Sequence, residues 1–357
     1  MNKTILILVQ CLLIITFNAA KASSIKKDES VIFFPTNAYL HNSTWIIPVH
    51  GWIFEQEQNS FWRAQTINSL PTLLGINPTP ANRALYEQRS QYFLVDNERG
   101  KKIQVELLKQ KFSMQKSAAN GHFYGELQLP QQLVKQHSSS LPLQAITKSN
   151  DSRLFQGTVH FIDPQGISVI SDIDDTIKIS NVEDKQALLA NTFFKPFQAV
   201  TGMSKTYQAW QQQGAVFHYI SASPWHLYPA LSGFLKTAGF PAGSYNLKHF
   251  RVKDESFFNL FSAQADYKKP LIEQLLQRYP QRQFILIGDA GEQDPEIFAD
   301  IARSYPQQVI HIYIRDLNAA KYTNRYQTSF QDIPKHQWTL FQVGSQLPAQ
   351  LLSASSK

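Results

Sequence analysis

Residues 167–178 read Ile-Ser-Val-Ile-Ser-Asp-Ile-Asp-Asp-Thr-Ile-Lys. An apolar run of strand character ends in three carboxylates (Asp172, Asp174, Asp175) and Thr176, all within five positions. Carrying a buried strand up to a cluster of like charges is costly unless a cation compensates them. The cluster therefore belongs where a strand leaves a sheet, facing a metal ion or a cationic ligand. In open α/β sheets that edge, outside the carboxyl ends of the strands, is where ligands bind.

The sequence on either side agrees. From residue 167 onward, strand-like runs at 167–171, 216–220, 284–287 and 309–314 alternate with helical patterns at 205–213, 227–238, 270–278 and 295–303. Gly214 and Gly239 stand where helix C-terminal glycines belong, and 338–341 adds an edge strand. Strict alternation argues for a mostly parallel, Rossmann-like α/β sheet. Before it, runs at 31–34, 44–49, 92–95, 103–107, 121–129 and 158–162 are β-branched and aromatic and are separated by turn formers. They predict an antiparallel β-sandwich, with one short helix at 83–89 and a loop at 135–148.

The expected organisation is a signal peptide at 1–22, a β-sandwich at 23–163, an α/β domain at 164–345 and a tail at 346–357. Lys3, an apolar stretch from Ile5 to Phe17 and the small-x-small Ala20-Lys21-Ala22 carry the first of these expectations. They predict a secreted, periplasmic protein. Cys11, the single cysteine, lies inside that leader, so the remaining chain has no disulfide, cysteine nucleophile or thiolate metal site. The net charge of +7 loses two units with Lys3 and Lys21. A mild positive balance suits anionic substrates or lipid surfaces, and the lack of a dense Lys/Arg block argues against nucleic acid.

In a parallel sheet Asp172/Asp174, Ser221 and Asp289 all follow strands and so converge on one crevice. Asp172 and Asp289 can share a hard cation, and magnesium is favoured because it completes its shell with water and phosphate. Beside it Asp172 can act as a phosphoryl-accepting nucleophile, and Asp174 can protonate the leaving oxygen and later activate water. Lys268 can balance phosphoryl charge, and Ser221 can hydrogen-bond a phosphoryl oxygen.

Asp172-Ile-Asp-Asp-Thr, Ser221, Lys268 and Gly288-Asp289 with Asp294 resemble, in order, the motifs of the haloacid dehalogenase superfamily. More narrowly, Asp-Ile-Asp-Asp-Thr-Ile-Lys, Ser221-Ala-Ser-Pro-Trp, Gly288-Asp-Ala-Gly-Glu-Gln-Asp-Pro-Glu and Ile312-Tyr-Ile-Arg-Asp resemble the actin-patch phosphatidate phosphatase family and its bacterial relatives. The resemblance covers residues 167–317 and is weaker over the β-rich half. It implies magnesium-dependent hydrolysis of phosphatidate to diacylglycerol and phosphate. Asp172 would be the nucleophile, Asp174 the acid/base, which also offers its carbonyl to the metal, and Asp289 a metal ligand. Of two adjacent lysines, Lys268 is preferred because Ile272, Leu275 and Leu276 then fall at helical offsets. Ala290 stands where the family more usually has serine, and Asp175 where the wider superfamily has glycine.

Blander readings compete. Asp172, Asp174, Thr176, Lys178 and Glu183 keep the spacing of a calcium loop, but Ile177 replaces its glycine and a strand precedes it. Ser221 alone could cap a strand end, and Lys268 alone could be a solvated helix residue. His218 within a strand reads as packed, and Trp52, Phe54 and Trp62 read as core rather than a binding face. Residues 193–197 (Phe-Phe-Lys-Pro-Phe) and 257–261 (Phe-Phe-Asn-Leu-Phe) could dip into a lipid surface or simply pack on the domain. Two alternatives to a lipid phosphatase follow: a phosphatase of soluble phosphomonoesters, and a secreted binding protein whose acidic site holds a structural cation.

Overall fold

The structure is a computed structural model that describes residues 23–56, 69–72, 74–76, 79–249 and 265–352. The expected leader, Trp62, the 257–261 stretch and the last five residues lie outside the described residues.

Among the described residues nine strands form the first sheet: β1 (Glu29–Phe33), β2 (Thr36–His41), β3 (Thr44–Glu55), β4 (Asp96–Asn97), β5 (Gln104–Leu107), β6 (Gln110–Ser113), β7 (His122–Pro130), β8 (Ser140–Ala145) and β9 (Gln156–Phe161). Their order is β1-β3-β2-β9-β8-β5-β6, with β4 and β7 also on β3. Every pairing is antiparallel except β2 with β9. β3 is the spine. Its alternate residues Trp45, Ile47 and Val49 enter a core shared with Val105 of β5, Leu127 of β7 and Val159 of β9. Side chains from distant strands thus enclose one core, while the hydrogen bonding runs through one continuous network with a parallel step. Gly51 of β3 is required by its neighbour, because a β-carbon there would overlap the ring of Phe123 across the pair.

Two expectations fail here. Residues 92–95 form no strand: Gln91–Phe93 is a 3₁₀ turn continuing helix α1 (Pro80–Ser90). Phe93 and Val95 are buried because that helical segment packs inward, which composition alone cannot distinguish from a strand. The loop expected at 135–148 contains β8, whose polar residues face outward on a strand paired with β9. Strands β2 and β6 were also not anticipated, nor β4, whose Asp96-Asn97 reads as a turn from sequence but pairs with β3.

Among the described residues six parallel strands form the second sheet, in the order β12-β11-β10-β13-β14-β15. They are β10 (Gly166–Asp172), β11 (Val216–Pro224), β12 (Gly243–Lys248), β13 (Arg282–Asp289), β14 (Val309–Arg315) and β15 (Trp338–Phe341). The expected strands are all present, and β12 joins them. Neighbouring residues go to opposite faces: Val169, Phe217 and Ile285 enter one core, Ile170, Ile220 and Leu286 the other. Helices α2 (Lys185–Phe193), α3 (Met203–Gln212), α4 (Tyr228–Thr237), α5 (Ala265–Arg278), α6 (Asp294–Ser304) and α7 (Ala319–Ser329) connect and cover the strands. The chain is thus α/β, with one antiparallel-rich and one parallel sheet.

The two sheets share a core. Trp52 and Phe54 of β3, with Phe34 just after β1, pack with Phe217 of β11, Phe193 of α2 and Trp225 just after β11. Trp52 and Phe54 are therefore core residues, as expected. Phe193 and Phe194 are buried too, so the 193–197 stretch offers little to a lipid surface; Phe197 packs edge-on against Phe234 and lies under the Arg89 guanidinium. Buried Arg282 donates to Asp163 O at 2.7 Å and Ser168 Oγ at 2.8 Å, fixing the entry into β10. Among the described residues no helix is long and apolar enough to cross a membrane.

Candidate active site

Parallel pairing puts Asp172 of β10 beside Ile220 of β11, and Ser171 beside Ile287 of β13. Asp172, Ser221 and Asp289 therefore leave the sheet at one edge. Past Asp172 the chain doubles back at once. Ile177 and Lys178 both donate their N–H to Ile173 O, at 3.0 and 2.9 Å. Asp175 takes a left-handed conformation (φ 52°), and its carboxylate accepts from Ser180 N at 2.8 Å and Val182 N at 2.6 Å. A residue that both tolerates positive φ and caps two backbone donors explains why aspartate suits this turn.

Two buried clusters result. In the first, Asp172, Asp289, Glu292 and Asp294 bring carboxylate oxygens within 4.8 Å of one another. Lys268 of α5 stands among them, 2.8 Å from Asp172 Oδ1, 2.6 Å from Glu292 Oε2 and 2.7 Å from Asp294 Oδ1. One ammonium does not balance four carboxylates. Burial pushes Asp172 well above the usual carboxylate range; Lys268 opposes this, and Glu292, Asp294 and Asp174 add to it. Burial, then Glu292 and Asp294, raise Asp289 likewise. Glu292 is pushed up to about 7, chiefly by burial.

Asp172 Oδ2 and Asp289 Oδ2 are buried without a hydrogen-bond partner. An unpartnered buried carboxylate oxygen is expensive, and two in one negative pocket are what a hard cation with oxygen ligands would satisfy. The residues present thus fit a metal ion. The pocket is also held from behind: Asp289 Oδ1 accepts from Gly291 N at 2.7 Å and Glu292 N at 3.2 Å.

The second cluster surrounds Asp174. Its Oδ1 meets Lys178 Nζ and Ser180 Oγ, both at 2.7 Å, and its Oδ2 meets Ser221 Oγ at 2.8 Å and Ser223 Oγ at 2.9 Å. Burial alone would raise this carboxyl, but Lys178 and the hydroxyls of Ser180 and Ser221 hold it down at about 2. Ser221 here spends its proton on Asp174 and accepts from Ser223 N at 2.9 Å.

Of the residues expected from sequence, Asp172, Asp289 and Lys268 meet in the acidic cluster, and Asp174 and Ser221 meet beside it. The Asp174 carboxylate is not among the four. Lys269 points outward to Asp300 at 3.3 Å, so Lys268 is the lysine of the site. His218 is packed, with Asn37, Ser168 and Ser244 around it. The calcium-loop spacing does not assemble: Lys178 pairs with Asp174, and Glu183 pairs with Lys321 and Tyr322. Missed were Glu292, Lys178, Ser180 and Ser223, and Asp294 had only its place in a motif. The available signals were Lys178 four residues beyond Asp174 and Ser223 two beyond Ser221.

A buried pocket of carboxylates around Lys268, at the carboxyl edge of a parallel sheet, could hold a metal ion. Residues 167–316 match the family described as phosphatidate phosphatase APP1, catalytic domain. Among similar proteins, phosphatidate phosphatase APP1 of Saccharomyces cerevisiae is 32% identical over 181 residues, covering 50% of this chain and 29% of its own. An uncharacterized protein of Schizosaccharomyces pombe is 31% identical over 204 residues, covering 55% of this chain and 33% of its own. The chain thus spans about a third of the length of these relatives. The likenesses support a phosphatase enzyme similar to APP1.

Proposed function

We propose that the chain is a magnesium-dependent phosphatase of haloacid dehalogenase type, acting on phosphatidate or a related lipid phosphate through an aspartyl-phosphate. The observation that carries this reading is the pair of unpartnered buried oxygens, Asp172 Oδ2 and Asp289 Oδ2, in a pocket where, among the described residues, Lys268 is the cation paired with the carboxylates. In it, Asp172, Asp289 and the Asp174 carbonyl would hold magnesium, which when bound neutralises phosphoryl charge.

The protein groups divide the remaining work. Asp172 is the attacking carboxylate, and Lys268, 2.8 Å from its Oδ1, fixes the orientation of the group. Asp174 is the proton carrier. With four partners it is a poor acid, but Ser221 has one proton to give. When a phosphoryl oxygen accepts the Ser221 hydrogen bond instead, Asp174 Oδ2 keeps only Ser223 as a donor and its affinity for a proton rises. Ser221 thereby couples substrate binding to the readiness of Asp174.

Secretion to the periplasm through the leader at 1–22, and division into a β-rich domain at 23–163 and a catalytic domain at 164–345, complete the proposal. With Phe193 and Phe194 buried, approach to a lipid surface falls to other residues around the crevice. Phosphate release from phosphatidate, lysophosphatidate and soluble phosphate esters, with and without magnesium, tests the reading. Magnesium-dependent turnover favouring the lipids is expected. Faster turnover of soluble esters would overturn the substrate class, and magnesium-independent release would overturn the cofactor.

A further inference from the structure

Three histidines from distant parts of the chain meet at the seam between the two sheets. His50 lies on β3, His122 opens β7, and His249 follows β12. Each brings a ring nitrogen within 4.8 Å of the others'. His50 Nε2 and His122 Nδ1 face each other at 2.8 Å. Two nitrogens bound to a tetrahedral ion at about 2.0 Å lie about 3.3 Å apart, so a small opening of this pair would admit one.

Ordinary aromatic packing explains the ring faces but not the edges. His50 stacks on Tyr124 with centroids 4.4 Å apart, and His122 stacks on Trp52 at 5.7 Å. Those contacts fix the planes and leave the nitrogen-bearing edges pointing at one another and at His249. The surroundings of His249 also suit a ligand. Tyr124 OH meets its Nε2 at 2.8 Å and the Asn120 amide meets its Nδ1 at 3.4 Å. Whichever nitrogen binds, the other keeps a partner that holds the ring. His50, Tyr124 and His249 also line a cavity of about 230 Å³, which gives an entry path and room for a water as fourth ligand.

We propose that His50, His122 and His249 form a second metal site, ligated by nitrogen and selective for a divalent transition ion such as zinc, that clamps the antiparallel-rich sheet to the parallel one. Imidazole donors favour zinc, copper or nickel over magnesium, so this site and the acidic cluster differ in the ion they select. The inference does not depend on the phosphatase reading. An ion bound only by the folded chain stabilises it by mass action.

Cobalt(II) is the probe for the test, titrated into the full chain in excess magnesium. Four-coordinate nitrogen ligation absorbs visible light far more strongly than six-coordinate oxygen ligation. One strongly absorbing cobalt per chain is expected, together with a rise in Tm on adding zinc. His249→Ala removes an exposed side chain and should weaken cobalt binding at least tenfold and abolish the zinc-dependent rise; His50→Gln should do the same. Absence of the strong band, weakening of less than tenfold in His249→Ala, or an unchanged Tm rise in that variant would overturn the proposal.

Discussion

The hydroxyl of Ser221 donates to Asp174 Oδ2 across 2.8 Å, joining the ends of two neighbouring strands that are 47 residues apart in sequence. Ser223 adds a second hydroxyl at 2.9 Å. Opposing burial, Lys178 first and then the hydroxyls of Ser180 and Ser221 hold Asp174 at about 2, against an ordinary value of 3.8. A carboxyl depressed in the folded state stabilises it above the unfolded pKa, and loses that contribution as pH falls through the folded one. A shift of this size corresponds to about 2 kcal/mol. Ser221→Ala/Ser223→Ala should therefore be less stable than wild type by about 1 to 2 kcal/mol at pH 6, with the gap closing between pH 4 and 2. Urea unfolding across that range measures it; a gap independent of pH would refute the assignment.

Glu292 shifts the other way. Raised to about 7 from 4.5 by burial, it binds a proton more tightly in the folded than in the unfolded chain. Stability must then fall as pH rises through that window, by up to about 3 kcal/mol. In chelator this decline should be measurable by urea unfolding between pH 5 and 7. Saturating magnesium should flatten it, because a bound cation favours the ionised carboxylates. Glu292→Gln should shrink the decline without magnesium, leaving the part that the raised Asp172 and Asp289 contribute.

Gly288 is the position at which a small change should disturb the acidic cluster most selectively. A β-carbon there would overlap the Asp294 side chain, approaching its Cβ to 2.6 Å. Asp294 holds Lys268 at 2.7 Å and accepts from Asp289 N at 3.2 Å, so displacing it loosens both. Gly288→Ala is expected to cost about 1 to 3 kcal/mol in stability and to weaken magnesium binding, read by the magnesium-dependent rise in Tm. A full rise in Tm would show that Asp294 does not shape the pocket.

The acidic motifs were legible because each sits at a strand end, and a parallel sheet brings such ends together whatever the loops do. Lys268 was legible for a related reason: Ile272, Leu275 and Leu276 fix the buried face of its helix, and all three are buried. Glu292, Lys178 and Ser180 were not, since their roles depend on how tightly the chain turns after Asp289 and Asp174, and no periodicity encodes that. Before β4, Phe93 and Val95 looked like strand because burial selects the same residues on a packed helical turn and the bend that follows it. β8 was hidden by Ser140 and Pro142, which suit a half-exposed strand as well as a loop. The meeting of His50, His122 and His249 joins two sheets, and only the packing of one on the other brings it about.

Asp172 is the residue on which the catalytic account turns. Phosphate release from phosphatidate in mixed micelles with saturating magnesium, by wild type and by Asp172→Asn, tests it most directly. The replacement is nearly isosteric, and circular dichroism checks that the fold is kept. Wild type should release phosphate, and Asp172→Asn should be slower by on the order of a thousandfold. Turnover by Asp172→Asn at the wild-type rate would contradict the mechanism.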